Sequence, residues 1–327
     1  MRTVSLLPAG TEIVAALGAL DGLVGVTHEC DHPAEVRSRA QVTSSAVDGR
    51  SAPGAVDGQV RALAQSGAPL FTLHERTIAS LRPNLVLTQA LCEVCAVSET
   101  DVRALVGRLR PEPRVVALSA STLDGVFDDV ARVASALGVA DAGDRLLAAF
   151  RGRMRHVHDT LKAARAPRPR VAVVEWTDPV YAAGHWVPEM VHRAGGVDVL
   201  ATPGEHSRPR TPPEVRAAEP EVILVAPCGY GVARAAEEAA RLLGEEAWAW
   251  ARDRRVWAVD ANGLVSRPGP RLVDGVELFA RIFNPGLFSP PEPVQASRIT
   301  AALGARLSAS SRGQEDVPDA EWFLSPP

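Results

Sequence analysis

Along residues 141–166, apolar side chains recur every three or four positions, at Leu146, Phe150, Met154, Val157, Leu161 and Ala164. Arg151, Arg153, Arg155, His158 and Lys162 take the other faces. That period is the signature of an amphipathic helix. Asp141 or Asp144 can accept from the open amides of its first turn, and Pro167 and Pro169 forbid continuation. The pattern therefore predicts roughly 22 helical residues, about 33 Å. Short apolar runs flank it on both sides, each long enough for a buried strand: residues 4–7, 23–27, 85–88 and 115–118 before it, and 171–176, 197–200, 222–224 and 256–259 after it. A helix fits 122–137, capped by Ser121 or Thr122 and stopped by Gly138. Further helices fit the stretch from a Thr11 cap to Leu17, residues 77–81, and the segment after Trp186 to Val191. Residues 43–58, rich in Ser, Gly, Pro and Asp, read as a loop.

The two halves echo one another. Leu81-Arg82-Pro83-Asn84-Leu85-Val86-Leu87 matches Ala218-Glu219-Pro220-Glu221-Val222-Ile223-Leu224 as a helix end, a proline and a buried strand. Apolar strands alternating with helices imply parallel sheets covered on both faces. The expected architecture is α/β: an N-terminal lobe over 1–140, a linker helix over 141–166, a C-terminal lobe over 167–288, and a Pro-rich tail over 289–327. The tail holds one possible helix over 295–307 and is expected to be partly disordered beyond it.

Composition narrows the class. A chain of 327 residues that is 46% hydrophobic and 23% charged can bury two sizeable cores. The net charge of −4, with basic residues clustered only briefly, gives no support to nucleic-acid binding. No apolar run approaches the length that spans a bilayer. Pro8, Thr11 and Glu12 interrupt the apolar start, so the expectation is a cytoplasmic protein, with export as the alternative. Four cysteines are too few and too unevenly placed for a disulfide framework.

In open parallel sheets, ligands bind outside the carboxyl ends of the strands. This selects the loops at 8–12, 28–31 and 89–95 in the first half, and those at 176–186, 228–230 and 260–271 in the second. They contain all four cysteines and both tyrosines, so the chemistry concentrates at one predicted cleft. Its candidate ligand-binding residues are Pro8, Thr11, His28, Glu29, Cys30, Asp31, Gln89, Cys92 and Cys95 on one wall. On the other they are Trp176, Tyr181, His185, Trp186, Glu189, Cys228, Tyr230, Ser266, Arg267 and Arg271. Trp176, Tyr181, Trp186 and Tyr230 can form an apolar platform for a large flat ligand, or pack between the lobes. Arg267 and Arg271 suit a carboxylate or phosphate, or pair with Asp260 or Asp274. Cys92 and Cys95, with Cys30 and His28, offer ligands for zinc or iron or a redox dithiol. A single close-spaced pair serves equally as buried or ligand-contacting cysteines. No Ser/His/Asp order, phosphate-cradling loop or paired catalytic carboxylates appears, so no enzyme is expected.

At these residues the sequence resembles the substrate-binding proteins of ABC transporters for vitamin B12 and iron chelates, over about residues 2–288. The resemblance is carried by Ser5-Leu6-Leu7-Pro8 with Thr11-Glu12, by Leu23-Val24-Gly25-Val26 leading into His28 to Asp31, and by Pro83-Asn84-Leu85-Val86-Leu87. Gly184-His185-Trp186-Val187-Pro188-Glu189-Met190 and the run from Ser266 to Gly275 complete it. It implies two α/β lobes on one linking helix, a clam-shaped fold with cobalamin, a related corrinoid or a chelate in the cleft, and an ABC permease as partner. Relatives that dock on a permease carry one exposed glutamate per lobe; Glu75 and Glu214 lie near those places without falling cleanly in register. The alternative is a cytoplasmic metal-binding or redox enzyme using Cys30, Cys92 and Cys95. A single stiff linker further implies a small hinge opening.

Overall fold

The computed structural model describes residues 1–89 and 97–300. The described residues form a five-stranded sheet before a long helix in the chain, a seven-stranded sheet after it, and a small two-stranded sheet of Thr43–Ser45 and Phe71–Leu73. In the first, strands Thr3–Ser5, Leu23–Val26, Leu85–Gln89 and Arg114–Leu118, with the short Ala40–Gln41 at one edge, are all parallel. In the second, Arg170–Thr177, Val222–Val225 and Arg255–Val259 form a parallel centre, with antiparallel strands at its edges. Helices cover both sheets, as expected for strands apolar on each face.

The echoed segments occupy equivalent places. Leu85–Gln89 pairs with the strands on either side of it, and so does Val222–Val225. Immediately before each strand, Arg82 (φ 45°) and Glu219 (φ 46°) both adopt the left-handed backbone region that ends a helix, and each precedes a proline. Neither is glycine. A non-glycine residue pays for that conformation, so its recurrence marks one supersecondary unit built twice.

The helix Leu123–Leu137 is capped by Thr122, whose Oγ1 accepts from the Gly125 N–H, and it ends at Gly138 in the left-handed region. The linker helix follows directly as Ala140–Ala163, 24 residues long. Its N-cap is Val139 with no side-chain bond, so neither Asp141 nor Asp144 caps it; Gly138 has already turned the chain. At Gly143 the two helices approach so closely that an added Cβ would lie 2.6 Å from Ala134 Cβ. Leu147, Phe150 and Val157 face inward, and Arg153 pairs with Asp274 and Glu277 on helix Leu272–Phe283 at 2.5 and 2.7 Å. One apolar cluster runs from Leu7, Ile13 and Phe127 through Phe150 and Val157 to Met190 and Phe279, so both lobes share a core with the linker.

Four expectations need correction. Residues 8–11 are not a loop capped by Thr11: the helix starts at Pro8, whose missing N–H suits the first turn, and runs to Ala16. Residues 43–58 hold a strand, Thr43–Ser45, and the start of a helix, Pro53–Ser66. That helix buries only Pro53, so almost no apolar stripe betrays it. A short strand, Val180–Ala182, sits inside the expected 176–186 loop. Finally, Ala296–Ile299 is a strand pairing antiparallel with Arg255–Val259, rather than the start of a helix, and it extends the second sheet beyond residue 288. Residues 301–327 lie outside the described residues.

Candidate functional site

The carboxyl ends of the parallel strands face each other across the lobes, and three groups of side chains join them. The first centres on Glu12, a carboxylate only 3% exposed on the helix Pro8–Ala16, whose other residues apart from Thr11 are apolar. Arg271 binds it in a fork, Nε to Oε2 at 2.9 Å and Nη2 to Oε1 at 2.6 Å, and Arg267 Nη1 donates to Oε1 at 3.0 Å. Arg267 also donates to Asp31 Oδ1 at 2.5 Å, to Asn262 Oδ1 at 2.8 Å and to the Glu29 carbonyl at 3.2 Å; Asn262 in turn donates to Asp31 at 2.9 Å. Two carboxylates thus meet two guanidiniums, with hydrogen bonds filling most donor positions, the arrangement a buried charge cluster requires. Burial pushes the Asp31 carboxyl up, but hydrogen bonds and charge from Arg267 outweigh it and hold it below its ordinary value.

Glu12 was missed as a site residue, although an acid within an apolar helical run is itself a sign of a buried cation partner. Arg267 and Arg271 pair with neither Asp260 nor Asp274: the turn after helix Ala261–Leu264 points them across the interface.

The second group lies at the opposite edge. Glu189 Oε2 accepts from the Leu123 N–H at 2.8 Å, at the start of helix Leu123–Leu137, where a negative charge is favoured. Arg193 lies 3.4 Å from Glu189 and 3.8 Å from Asp124. The third is Arg234, which donates to the carbonyls of Gly49 at 2.6 Å and Ser51 at 2.5 Å while lying 3.7 Å over the Tyr230 ring. Glu189 therefore joins the lobes, and neither Arg234 nor the 49–51 loop was legible as part of the site.

The aromatic platform keeps three of its four expected members. Trp176 and Tyr181 are cross-strand partners, and the Trp176 and Tyr230 rings meet edge to face at 5.6 Å. Tyr230 is 4% exposed, and its hydroxyl has no hydrogen-bond partner among the described residues. Cys228, beside them, is exposed. Trp186 instead belongs to the core, its indole N–H donating to the Val265 carbonyl at 2.8 Å. His185 adopts a left-handed backbone (φ 54°) and faces His206 at 3.1 Å; burial, then the neighbouring His206, lowers its basicity. Pro8 is the first residue of its helix, Ser266 hydrogen-bonds through its N–H to Ala261, and Gln89 ends its strand.

His28 is half-buried, with Nδ1 2.8 Å from the Thr43 hydroxyl. Thr11 and Cys30 are both buried, their Oγ1 and Sγ 3.1 Å apart. Burial pushes the Cys30 thiol up to about 11, which keeps it protonated and a poor metal ligand or nucleophile. Cys92 and Cys95 lie outside the described residues. Among the described residues, no group of three His, Cys, Asp or Glu is arranged to hold a metal ion, and no helix is long and apolar enough to cross a membrane.

Known proteins resemble this chain in sequence and in fold. A vitamin B12-binding protein of Vibrio cholerae serotype O1 is 23% identical over 283 residues, covering 84% of this chain and 86% of that protein. An uncharacterised ABC transporter substrate-binding lipoprotein of Bacillus subtilis is also 23% identical, over 88% of this chain and 81% of the relative. The crystal structure of a periplasmic heme-binding protein from Pseudomonas aeruginosa superimposes with a TM-score of 0.68 at 23% identity, over 91% of this chain and 98% of the other, and so shares its fold. Neither these relatives nor the described residues supply evidence for a cytoplasmic redox enzyme. Residues 4–252 match the periplasmic binding protein family, and the chain belongs to it.

Proposed function

We propose that this protein binds a corrinoid or a related tetrapyrrole or iron chelate between its lobes, without chemistry, and hands it to an ABC permease. The observation that supports it most is the extent of the likeness: it runs through both lobes and the linker of relatives named for vitamin B12 or heme. The Trp176–Tyr230 pair supplies an apolar face for a flat macrocycle, and the unpartnered Tyr230 hydroxyl a polar contact once the lobes part. His28, Glu29, Gln89 and Cys228 rim the same cleft, while Glu12, Asp31, Arg267 and Arg271 hold it shut. The names of the relatives place them in the periplasm or make them lipoproteins, which favours export over the cytoplasmic location expected from the sequence. Titration with cyanocobalamin and with hemin, followed by visible absorbance and heat, tests the reading. Saturable binding of either, weakened in Trp176→Ala, supports it; no binding of both overturns it.

A further inference from the structure

A groove of about 1330 Å³ lies outside this cleft, against the exposed side of the linker helix. Of the sequence-predicted site residues, Glu189 alone lines it. Its floor is apolar, with Phe127, Met154, Leu161 and Pro188. Above that floor Arg151, Arg155 and Lys162 project from the linker helix at spacings that put them on neighbouring turns, and Arg165 follows just past its end in a left-handed backbone (φ 49°). All four are exposed, and none of their side chains has a hydrogen bond or ion pair among the described residues. Arg168 and Arg193 stand on the facing wall.

The acids of the groove do not neutralise this stripe. Glu189 is taken by the Leu123 N–H and Arg193, Asp124 lies beside Arg193, and Asp198 accepts from the Leu200 and Ala201 N–H groups. Clustered unpaired cations repel one another, and a concave wall concentrates their field, so such a groove favours a multivalent anion.

From this juxtaposition of unpaired cations and an apolar floor we infer that the linker-helix groove is a second binding site, for a soluble organic polyphosphate. The apolar floor calls for an organic body and not a bare anion, and the recess favours a dissolved molecule over a flat lipid surface. Both lobes and the helix between them contribute to the lining, so a ligand that contacts them differently as the lobes move links its occupancy to their arrangement.

The test is calorimetric titration of the whole chain with adenosine triphosphate and with inorganic tripolyphosphate at low and moderate salt. Adenosine triphosphate should bind saturably and more tightly than tripolyphosphate, and both should weaken with salt. Reversing two cations in R155E/K162E should weaken binding roughly tenfold or more, the scale of lost charge-assisted hydrogen bonds. Arg37→Glu, an exposed reversal elsewhere, should leave it unchanged. If the double variant does not fold, Arg155→Gln reads the same loss. The inference is overturned by no saturable binding of either anion, by equal weakening in Arg37→Glu, or by binding only to phosphatidylglycerol vesicles.

Discussion

The interlobe cluster around Glu12 and the groove on the linker helix are built from the same side chain in opposite circumstances. Arg267 and Arg271 are mostly buried, and both bind carboxylates on the other lobe. Arg151 and Arg155 are exposed and bind nothing among the described residues. A guanidinium that has lost its water must be matched where it stands, and so becomes part of the structure. One that keeps its water costs little and stays available to a solute. Arginine content therefore says nothing about role; burial and pairing decide it.

The sharpest way to break the comparison is Glu12→Ala. It strips the shared counter-charge from two buried guanidiniums and should cost about 3 kcal/mol or more of stability by urea unfolding. A loss below about 1 kcal/mol would show that water already screens the cluster as it does the groove. Trp176→Ala comes next: it should leave the unfolding midpoint near wild type but weaken macrocycle binding by about 1–2 kcal/mol, roughly tenfold.

Two carboxylates carry the comparison into pH dependence with opposite signs. Asp31, beside Arg267, is held below its ordinary value, so the unfolded chain takes up its proton first. Its stabilisation is complete above the ordinary carboxylate value, about pH 4, and is lost as pH falls through the lower folded value. Asp31→Asn should flatten that acid limb in thermal melts. Asp198, lining the groove, is raised to about 6 by burial, so the folded chain holds its proton longer. It costs stability as pH rises from about 4 toward 6, and Asp198→Asn should remove that decline while keeping an oxygen for the Leu200 and Ala201 N–H groups. The smallest effect belongs to the groove cations themselves. R155E/K162E should leave the unfolding midpoint unchanged, and a clear shift would mean that they support the fold rather than await a ligand.

Much of this architecture was legible because local rules and tertiary need agreed. The linker helix showed in the spacing of Phe150, Met154, Val157 and Leu161, and the duplicated unit showed in the two proline-preceded strands. Where burial was slight, legibility failed: helix Pro53–Ser66 has no apolar stripe to announce it. Ala296–Ile299 failed for a different reason, since a four-residue segment becomes a strand when a sheet edge is there to receive it.

For the site, sequence alone singled out the segments at the carboxyl ends of the parallel strands, because such strands present those ends together whatever their side chains. It placed Trp176, Tyr230, His28 and Asp31 at one cleft on that basis. Only the tertiary structure decided what each side chain does there. Trp186 went to the core, Glu189 and the two arginines went to joining the lobes, and Glu12 emerged as their shared partner. Where the strands lie along the chain follows from short-range patterns that repeat along it. A partner more than two hundred residues away, as Glu12 is from Arg267, is chosen by packing, which no local pattern encodes.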